Sequence, residues 1–124
     1  MLAAMVGSAG ESAERLLERL ADRLRHLSEP RLRRPEPALG GSSPAHAAHD
    51  FAMWCAATTV ELLPPDAAAR PPTAEVPRLG DLASGDQVWV LGRHLLVASG
   101  ESNTDQEGLI DELVRRIQKL TDAL

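Results

Sequence analysis

The chain has 124 residues, enough for one domain with a modest hydrophobic core. Hydrophobic residues make up 44% of the sequence but aromatic residues only 2%, so the core must consist mainly of leucine, alanine and valine, which favours packed helices over a β-sandwich. The formal net charge of −5 excludes a general electrostatic attraction to nucleic acids or anionic membranes.

The sequence also indicates a compartment. No apolar run reaches the roughly 18 residues that a membrane span requires, and the start of the chain lacks the cationic region of a secretory signal. The single cysteine, Cys55, excludes an intramolecular disulfide and gives no sign of an oxidising compartment. We therefore expect a cytoplasmic protein with no membrane partner.

The first predicted helix extends from about Ser8 to Ser28, after a flexible start at residues 1–7. Ser8 and Glu11 have the spacing of a capping box, in which two side chains accept hydrogen bonds from free backbone N–H groups. Leucines then recur at helical spacing and charged residues occupy the other faces, which is typical of a helix with one buried face. These leucines are Leu16, Leu17, Leu20, Leu24 and Leu27.

Residues 29–43 are predicted to be a linker, because three prolines stop helix propagation and Gly40-Gly41 loosens the chain. The linker carries Arg31, Arg33 and Arg34, which belong to the one local excess of positive charge. This basic patch could contact phosphates, but it lacks interleaved aromatic residues and a recognisable recognition helix. Nucleic acid is therefore not the expected partner, and a nucleic-acid-associated accessory function through these arginines is kept as an alternative.

The second predicted helix covers residues 44–63. Ser43 is its N-cap and Pro44 its first residue, where a missing N–H costs nothing. One face is apolar and includes Cys55, which we interpret as a buried structural thiol rather than a nucleophile. The members of this face are Ala48, Phe51, Ala52, Cys55, Thr59 and Leu62.

Near the start of this helix, His46, His49 and Asp50 are spaced so that all three could share one face. Imidazole and carboxylate groups are common metal ligands, and His94 or Cys55 could add another, so a metal- or small-ligand-binding protein is an alternative function. Neither His-Glu-x-x-His nor Cys-x-x-Cys occurs, however, so we favour the simpler interpretation of polar residues on the exposed first turn of a helix, with Asp50 near the positive end of the helix dipole. We expect no cofactor.

The second predicted linker covers residues 64–80, and its first fifteen residues, 64–78, hold five of the nine prolines. Such a segment favours extended, polyproline-like backbone at about 3.1 Å per residue, so it is long enough to return along a 20-residue helix. The third helix therefore need not run antiparallel to the second. A connection of this length is either a solvated spacer or a strap that binds a partner.

The stretch from Asp81 to Gly100 is the most apolar in the chain, and we predict a helix over residues 84–99. Ser84 and Gln87 have capping-box spacing at its start. Apolar residues cover most of its circumference, which indicates a central helix that other helices surround. Gly92 would let a neighbouring backbone approach, at a cost of about 1 kcal/mol in helix propensity.

The same stretch has an alternative interpretation as a β-hairpin at residues 87–98, with Gly92-Arg93 as the turn. The fold would then be α+β. We favour the helix, because no other segment offers a third strand and an isolated two-stranded hairpin is only marginally stable.

The last predicted helix covers residues 105–123, with Thr104 and Glu107 as its capping box. Its apolar residues follow a stripe close to heptad spacing, which is typical of a helix that packs along its length. A short connection precedes it, so we expect it to pair antiparallel with the helix before it. The predicted contact between two copies of the chain lies on this stripe, at Leu109, Leu113 and Leu120.

Gly85-Asp86-Gln87, an apolar run and then Gly92-x-x-Leu95 resemble a segment of uncharacterised small helical proteins from GC-rich actinobacteria. Those proteins are expected to have Gly-His-Asp-Leu, or similar, where this chain has Gly92-Arg93-His94-Leu95. The resemblance is local. It implies the helical interpretation of the segment and carries no known activity.

Together these patterns predict a single all-α domain over residues 1–124, a small four-helix bundle with two long proline-rich connections. No glycine-rich phosphate loop or nucleophile elbow is present, so no catalytic residue is predicted and an enzyme is the less favoured class. Amphipathic faces are abundant instead. The leading hypothesis is a non-enzymatic protein-interaction or regulatory module whose partner is another protein or a second copy of the chain.

Overall fold

The computed structural model describes residues 2–62, 80–101 and 106–124, with side chains from residue 9 onward except at positions 101 and 106. The described residues form five α-helices and no strand, so the predicted all-α class is confirmed. The helices are α1 (Leu2–His26), α2 (Glu29–Arg33), α3 (Pro44–Leu62), α4 (Ser84–Glu101) and α5 (Gln106–Ala123). The hairpin alternative is wrong, because residues 87–98 lie within α4.

One hydrophobic core joins all five helices. The leucine stripe predicted in α1 and the apolar stripe predicted in α5 both supply fully buried side chains, as their helical spacing indicated. Partly buried tryptophans and leucines pack around this core. Its largest members are Leu17, Leu20 and Leu24 of α1, Leu32 of α2, Phe51 and Cys55 of α3, Val88 and Leu95 of α4, and Leu113 and Ile117 of α5.

The central helix is α4, which contacts α1, α3 and α5 and packs most extensively against α3. Two ion pairs set its direction relative to α1. Arg25 near the end of α1 lies 2.9 Å from Asp86 near the start of α4, and Glu14 lies 3.1 Å from Arg93 further along. The two helices are therefore antiparallel.

Polar contacts of α2 bring three chain segments to one end of the bundle. Arg33 lies 2.9 Å from Asp81, which begins a short 3-10 turn, Asp81–Ala83, just before α4. Arg31 donates a hydrogen bond of 3.2 Å to the main-chain oxygen of Leu124, after the end of α5. Since α4 begins and α5 ends beside α2, these two helices are antiparallel, as predicted. However, α5 packs more extensively against α1 than against α4.

The start of α3 lies at the same end, because Arg116 of α5 stacks on Trp54, whereas Leu120, nearer the end of α5, lies beside Phe51, nearer the start of α3. Consequently α3 and α4 run in the same direction, which a long connection between them permits. The predicted linker 64–80 lies outside the described residues except for Gly80, and so does Thr104 of the last predicted capping box.

The connection over 29–43 contains helical turns that the prolines led us not to expect. Pro30 lies in the first turn of α2, where its missing N–H costs nothing, and the Ser28 hydroxyl accepts a hydrogen bond of 3.4 Å from the Arg31 N–H. Leu32, the residue after Arg31, is fully buried. This part of the predicted linker therefore contributes to the core.

Gly40 and Gly41 bend this connection rather than loosen it. Their φ angles of 69° and 92° lie in the left-handed region that glycine adopts at no steric cost. The bend is closed by backbone hydrogen bonds from the N–H of Glu36 to Ser42 O (3.0 Å) and from the N–H of Gly41 to Glu36 O (3.1 Å). The result is a compact loop immediately before α3.

The start of α3 agrees with the prediction, whereas the starts of α4 and α1 differ from it. Ser43 is the N-cap of α3, since its hydroxyl accepts a hydrogen bond of 3.2 Å from the His46 N–H. Ser84 is already helical at φ −56° and ψ −44°, and its hydroxyl donates to the carbonyl of Asp81 at 2.6 Å. In addition, α1 begins at Leu2 rather than at Ser8, because residues 2–6 are leucine, alanine, methionine and valine, most of them strong helix formers.

Two glycines allow α4 to lie unusually close to α1. A Cβ atom at Gly85 would lie 2.7 Å from the carbonyl oxygen of Ala21 and 2.7 Å from Cγ of Arg25. A Cβ at Gly92 would lie 2.6 and 2.7 Å from the two δ carbons of Leu17. Gly92 therefore accommodates a side chain rather than the neighbouring backbone that the sequence suggested, and it is Gly85 that faces backbone.

We predict that Gly85→Ala lowers the free energy of unfolding by about 1–3 kcal/mol, the usual cost of overpacking, because the backbone oxygen of Ala21 cannot rotate away. Gly92→Ala should cost less, because the δ carbons of Leu17 can rotate and alanine recovers about 1 kcal/mol of helix propensity. Urea unfolding followed by circular dichroism measures both.

The matched control is Gly10→Ala in α1, where an added Cβ would meet no described atom within 4 Å. This variant should be more stable than the unchanged chain by up to about 1 kcal/mol, through helix propensity alone. If the three alanine variants had equal stability, close packing at Gly85 and Gly92 would not be the constraint inferred from the structure.

Candidate functional site

The predicted metal ligands do not converge. His46 and Asp50 approach each other across one helical turn, with Nε2 and Oδ2 3.4 Å apart on the exposed surface. His49 lies on another side of α3, and its Nδ1 atom is buried without a hydrogen-bond partner among the described residues. In the described part of the chain no group of three histidine, cysteine, aspartate or glutamate residues is arranged to hold a metal ion. Among the described residues, the structure thus brings His46 and Asp50 together as a surface pair and places His49 apart from them.

The basic patch is largely used for contacts within the chain. Arg33 forms ion pairs with Glu29 and Asp81, and Arg31 donates to the main-chain oxygen of Leu124. Arg34 is exposed. These arginines tie α2 to the start of α4 and the end of α5, and only one of the three predicted residues is left without such a structural contact in the described ranges.

Cys55 occupies a fully buried position in the core, as its place on the apolar face of α3 indicated. Burial raises the pKa of its thiol to about 12, against a smaller opposing effect of the Arg116 cation. A thiol with this pKa is almost entirely protonated near neutral pH, and the thiolate is the nucleophilic form. Cys55 is therefore a core residue.

We predict that Cys55 makes the stability of the fold decrease as the pH rises above about 9. The unfolded thiol ionises near its ordinary pKa of 9.0, whereas the folded thiol keeps its proton up to about 12. Between these values the unfolded state binds fewer protons, so its free energy falls relative to the folded state by up to roughly 1.4 kcal/mol per pH unit. Below pH 9 the thiol is protonated in both states, so the stability that buried Cys55 contributes is fully present.

The measurement is urea unfolding of the unchanged chain and of Cys55→Ala, at one pH below 9 and one between 9 and 12. Other groups that titrate in this range affect both proteins equally, so the stability advantage of the unchanged chain should narrow at the higher pH. A constant difference between the two proteins would show that the thiol ionises equally in both states.

The predicted interface residues of α5 face the interior of the same chain. Leu113 is fully buried, and Leu109 and Leu120 are half-buried against the core. Replacing Leu113 with a charged residue would therefore disrupt the core before it could report on a contact between chains.

The outer side of α4 carries exposed apolar residues that sequence reasoning took to be covered. Val90 and Val97 are 47% and 53% exposed, although Val88 and Leu95 on the opposite side are fully buried. A separation of seven residues is two helical turns, so the two valines lie in line about 10 Å apart. The signal was in the sequence, because both residues oppose the Val88–Leu95 side. We name Val90 and Val97 the outer face of α4.

A cleft of about 360 Å³ lies between α5, the first half of α3 and the compact loop before α3. Its apolar lining includes Phe51, which is buried, and Leu39 and Leu120, which are half-buried. The loop reaches this position because Gly40 and Gly41 bend it back on itself. We name this feature the α3–α5 cleft.

Charged side chains also line the α3–α5 cleft. Asp50, Arg116 and Lys119 are all exposed, so they form its rim. The Nε–H of Arg116 donates to the Glu112 carboxylate at 2.9 Å, and its guanidinium lies 4.2 Å from the ring centroid of Trp54. Such a stack on an aromatic ring restrains a side chain that is otherwise flexible. Helical spacing within α5 placed Arg116 and Lys119 together, but nothing in the sequence indicated the loop and α3 as the opposite wall.

Comparison with protein-family models, curated proteins and solved structures gave no significant match. No helix in the described ranges is both long and apolar enough to cross a membrane. The function of the chain must therefore be argued from its own surfaces.

Proposed function

We propose that this chain is a non-enzymatic interaction module that associates with a second copy of itself through the outer face of α4. The observation that supports it is the exposure of Val90 and Val97 on the helix that is otherwise the most enclosed in the bundle. A helix that is apolar on nearly every side is usually covered on every side. Here α1, α3 and α5 leave this side open.

The charges flanking the outer face favour association. Asp86 is paired with Arg25, and Arg93 is paired with Glu14 and lies 5.5 Å from the ring centroid of Trp89. Burying an unpaired charge is costly, whereas these two are already neutralised by α1. A neighbouring chain could therefore approach the valines with these two flanking charges already compensated.

The spacing of the valines suits a two-fold arrangement. If two copies of α4 cross antiparallel about an axis between the valines, Val90 of each chain meets Val97 of the other. Such a contact is self-complementary and closed, which is the commonest symmetry of soluble oligomers. Self-association would also explain the exposure of Val90 and Val97 without requiring a different partner protein.

We predict that the unchanged chain sediments with the mass of two chains and that the double variant Val90→Glu/Val97→Glu sediments with the mass of one. Each symmetric contact would bury two added carboxylates, which should weaken association by at least about 2 kcal/mol. Analytical ultracentrifugation over a range of concentrations measures the mass. Circular dichroism should show unchanged helicity, because both valines are half exposed in the single chain.

Gln118→Glu adds one negative charge, half that of the double variant, at an exposed position of α5 and serves as the control for added surface charge. It should leave the mass at two chains. An unchanged chain that stays monomeric at every concentration would refute self-association, and a double variant that stays dimeric would place the contact on another surface.

A further inference from the structure

We propose that the α3–α5 cleft binds a small carboxylate with an apolar body, such as a short fatty acid or an arylalkanoate. The cleft uses α3, α5 and the loop before α3, whereas self-association uses the outer face of α4. The two proposals are therefore independent.

The size and lining of the cleft match a small, partly apolar molecule. Its volume of about 360 Å³ is near the lower end of the roughly 300–1,000 Å³ typical of small-molecule sites. Phe51, Leu39 and Leu120 give it an apolar inner surface. A ligand with an aliphatic or aromatic body would remove this surface from water, which is the main driving force for binding in such sites.

The rim selects for one negative charge. Arg116 and Lys119 contribute two positive charges and Asp50 one negative charge. Glu112, which pairs with Arg116, pairs with Arg115 as well, so the rim together with these neighbours is still net positive, in a chain whose net charge is −5. Asp50 lies 3.4 Å from His46 on the side of α3. A monoanion would neutralise the rim, whereas a cationic ligand would be repelled by Arg116 and Lys119.

Arg116 is held in place before any ligand arrives. Its Nε–H is bound to Glu112 and its planar face lies over Trp54, which leaves the two terminal nitrogens of the guanidinium to donate. The paired N–H groups of an arginine match the two oxygens of a carboxylate. Lys119, one helical turn away, makes no ion pair with any residue that the structure describes and can reach the same anion as a point charge.

The test is an NMR titration of the full chain labelled with nitrogen-15, with octanoate as the probe. Octanoate should shift the amide signals of the loop 38–42, of α3 around Phe51 and of α5 around Lys119, in a saturable manner at millimolar concentration. Octylamine has the same chain with the opposite charge, and acetate has the same charge without the chain. Neither should produce these shifts, because each lacks one of the two features that the cleft recognises.

Variants separate the cleft from general charge effects. Arg116→Gln and Lys119→Gln should each weaken octanoate binding, Arg116→Gln by roughly tenfold, since hydrogen bonds to charged groups are the stronger ones. Arg115→Gln is the matched control, because Arg115 is the adjacent residue and also binds Glu112, at 2.6 Å, but does not line the cleft. It should leave the affinity unchanged.

Three results would overturn the proposal: no octanoate-dependent shifts in these segments, equal shifts with octylamine, or equal weakening by Arg115→Gln and Arg116→Gln. Because Arg116 also stacks on Trp54, its replacement could loosen α5. Lys119→Gln has no such contact to lose, so unchanged octanoate affinity in this variant would also count against the proposal.

Discussion

The close contact between α1 and α4 is the constraint on which the rest of the structure depends. Without side chains at Gly85 and Gly92, α4 can lie deep enough against α1 to bury Val88 and Leu95 completely. Ion pairs at both ends of the contact then fix the antiparallel direction of the two helices. From this position α4 presents two further sides to α3 and α5, so all the helices share one core. The same contact explains the glycines of the segment 85–95 physically, whatever its resemblance to other proteins.

Periodicity predicted the long helices because it reports burial directly. The stripes of α1 and α5 face the core, and residues 84–99 form the predicted central helix. Periodicity failed at α2, since a helix of five residues is too short to show a repeat. Its proline was also interpreted as a helix breaker, although the first turn tolerates proline. Leu32 consequently went unnoticed as a core residue.

The candidate surfaces were harder to predict because they depend on which side of each helix meets a neighbour. Spacing brought His46 and Asp50 together, since residues four apart are neighbours on any helix. The same rule does not say that His49 turns towards the protein interior. The α3–α5 cleft joins residues some 65 positions apart, Phe51 and Arg116, across a loop whose shape depends on two positive φ angles. Local sequence patterns do not predict contacts between residues so far apart in the chain.

The position of α5 explains why the chain leaves the outer face of α4 open. Contacts of Leu124 with Arg31 and of Arg116 with Trp54 hold α5 against α2 and α3, and most of its packing is against α1. A helix held in this way cannot also cover Val90 and Val97 on the far side of α4. Yet the same contacts that keep α5 away also form the wall of the α3–α5 cleft and orient Arg116 at its rim. The same packing of α5 thus produces both surfaces: the apolar outer face of α4, which α5 does not cover, and the charged rim of the α3–α5 cleft, which α5 helps to form.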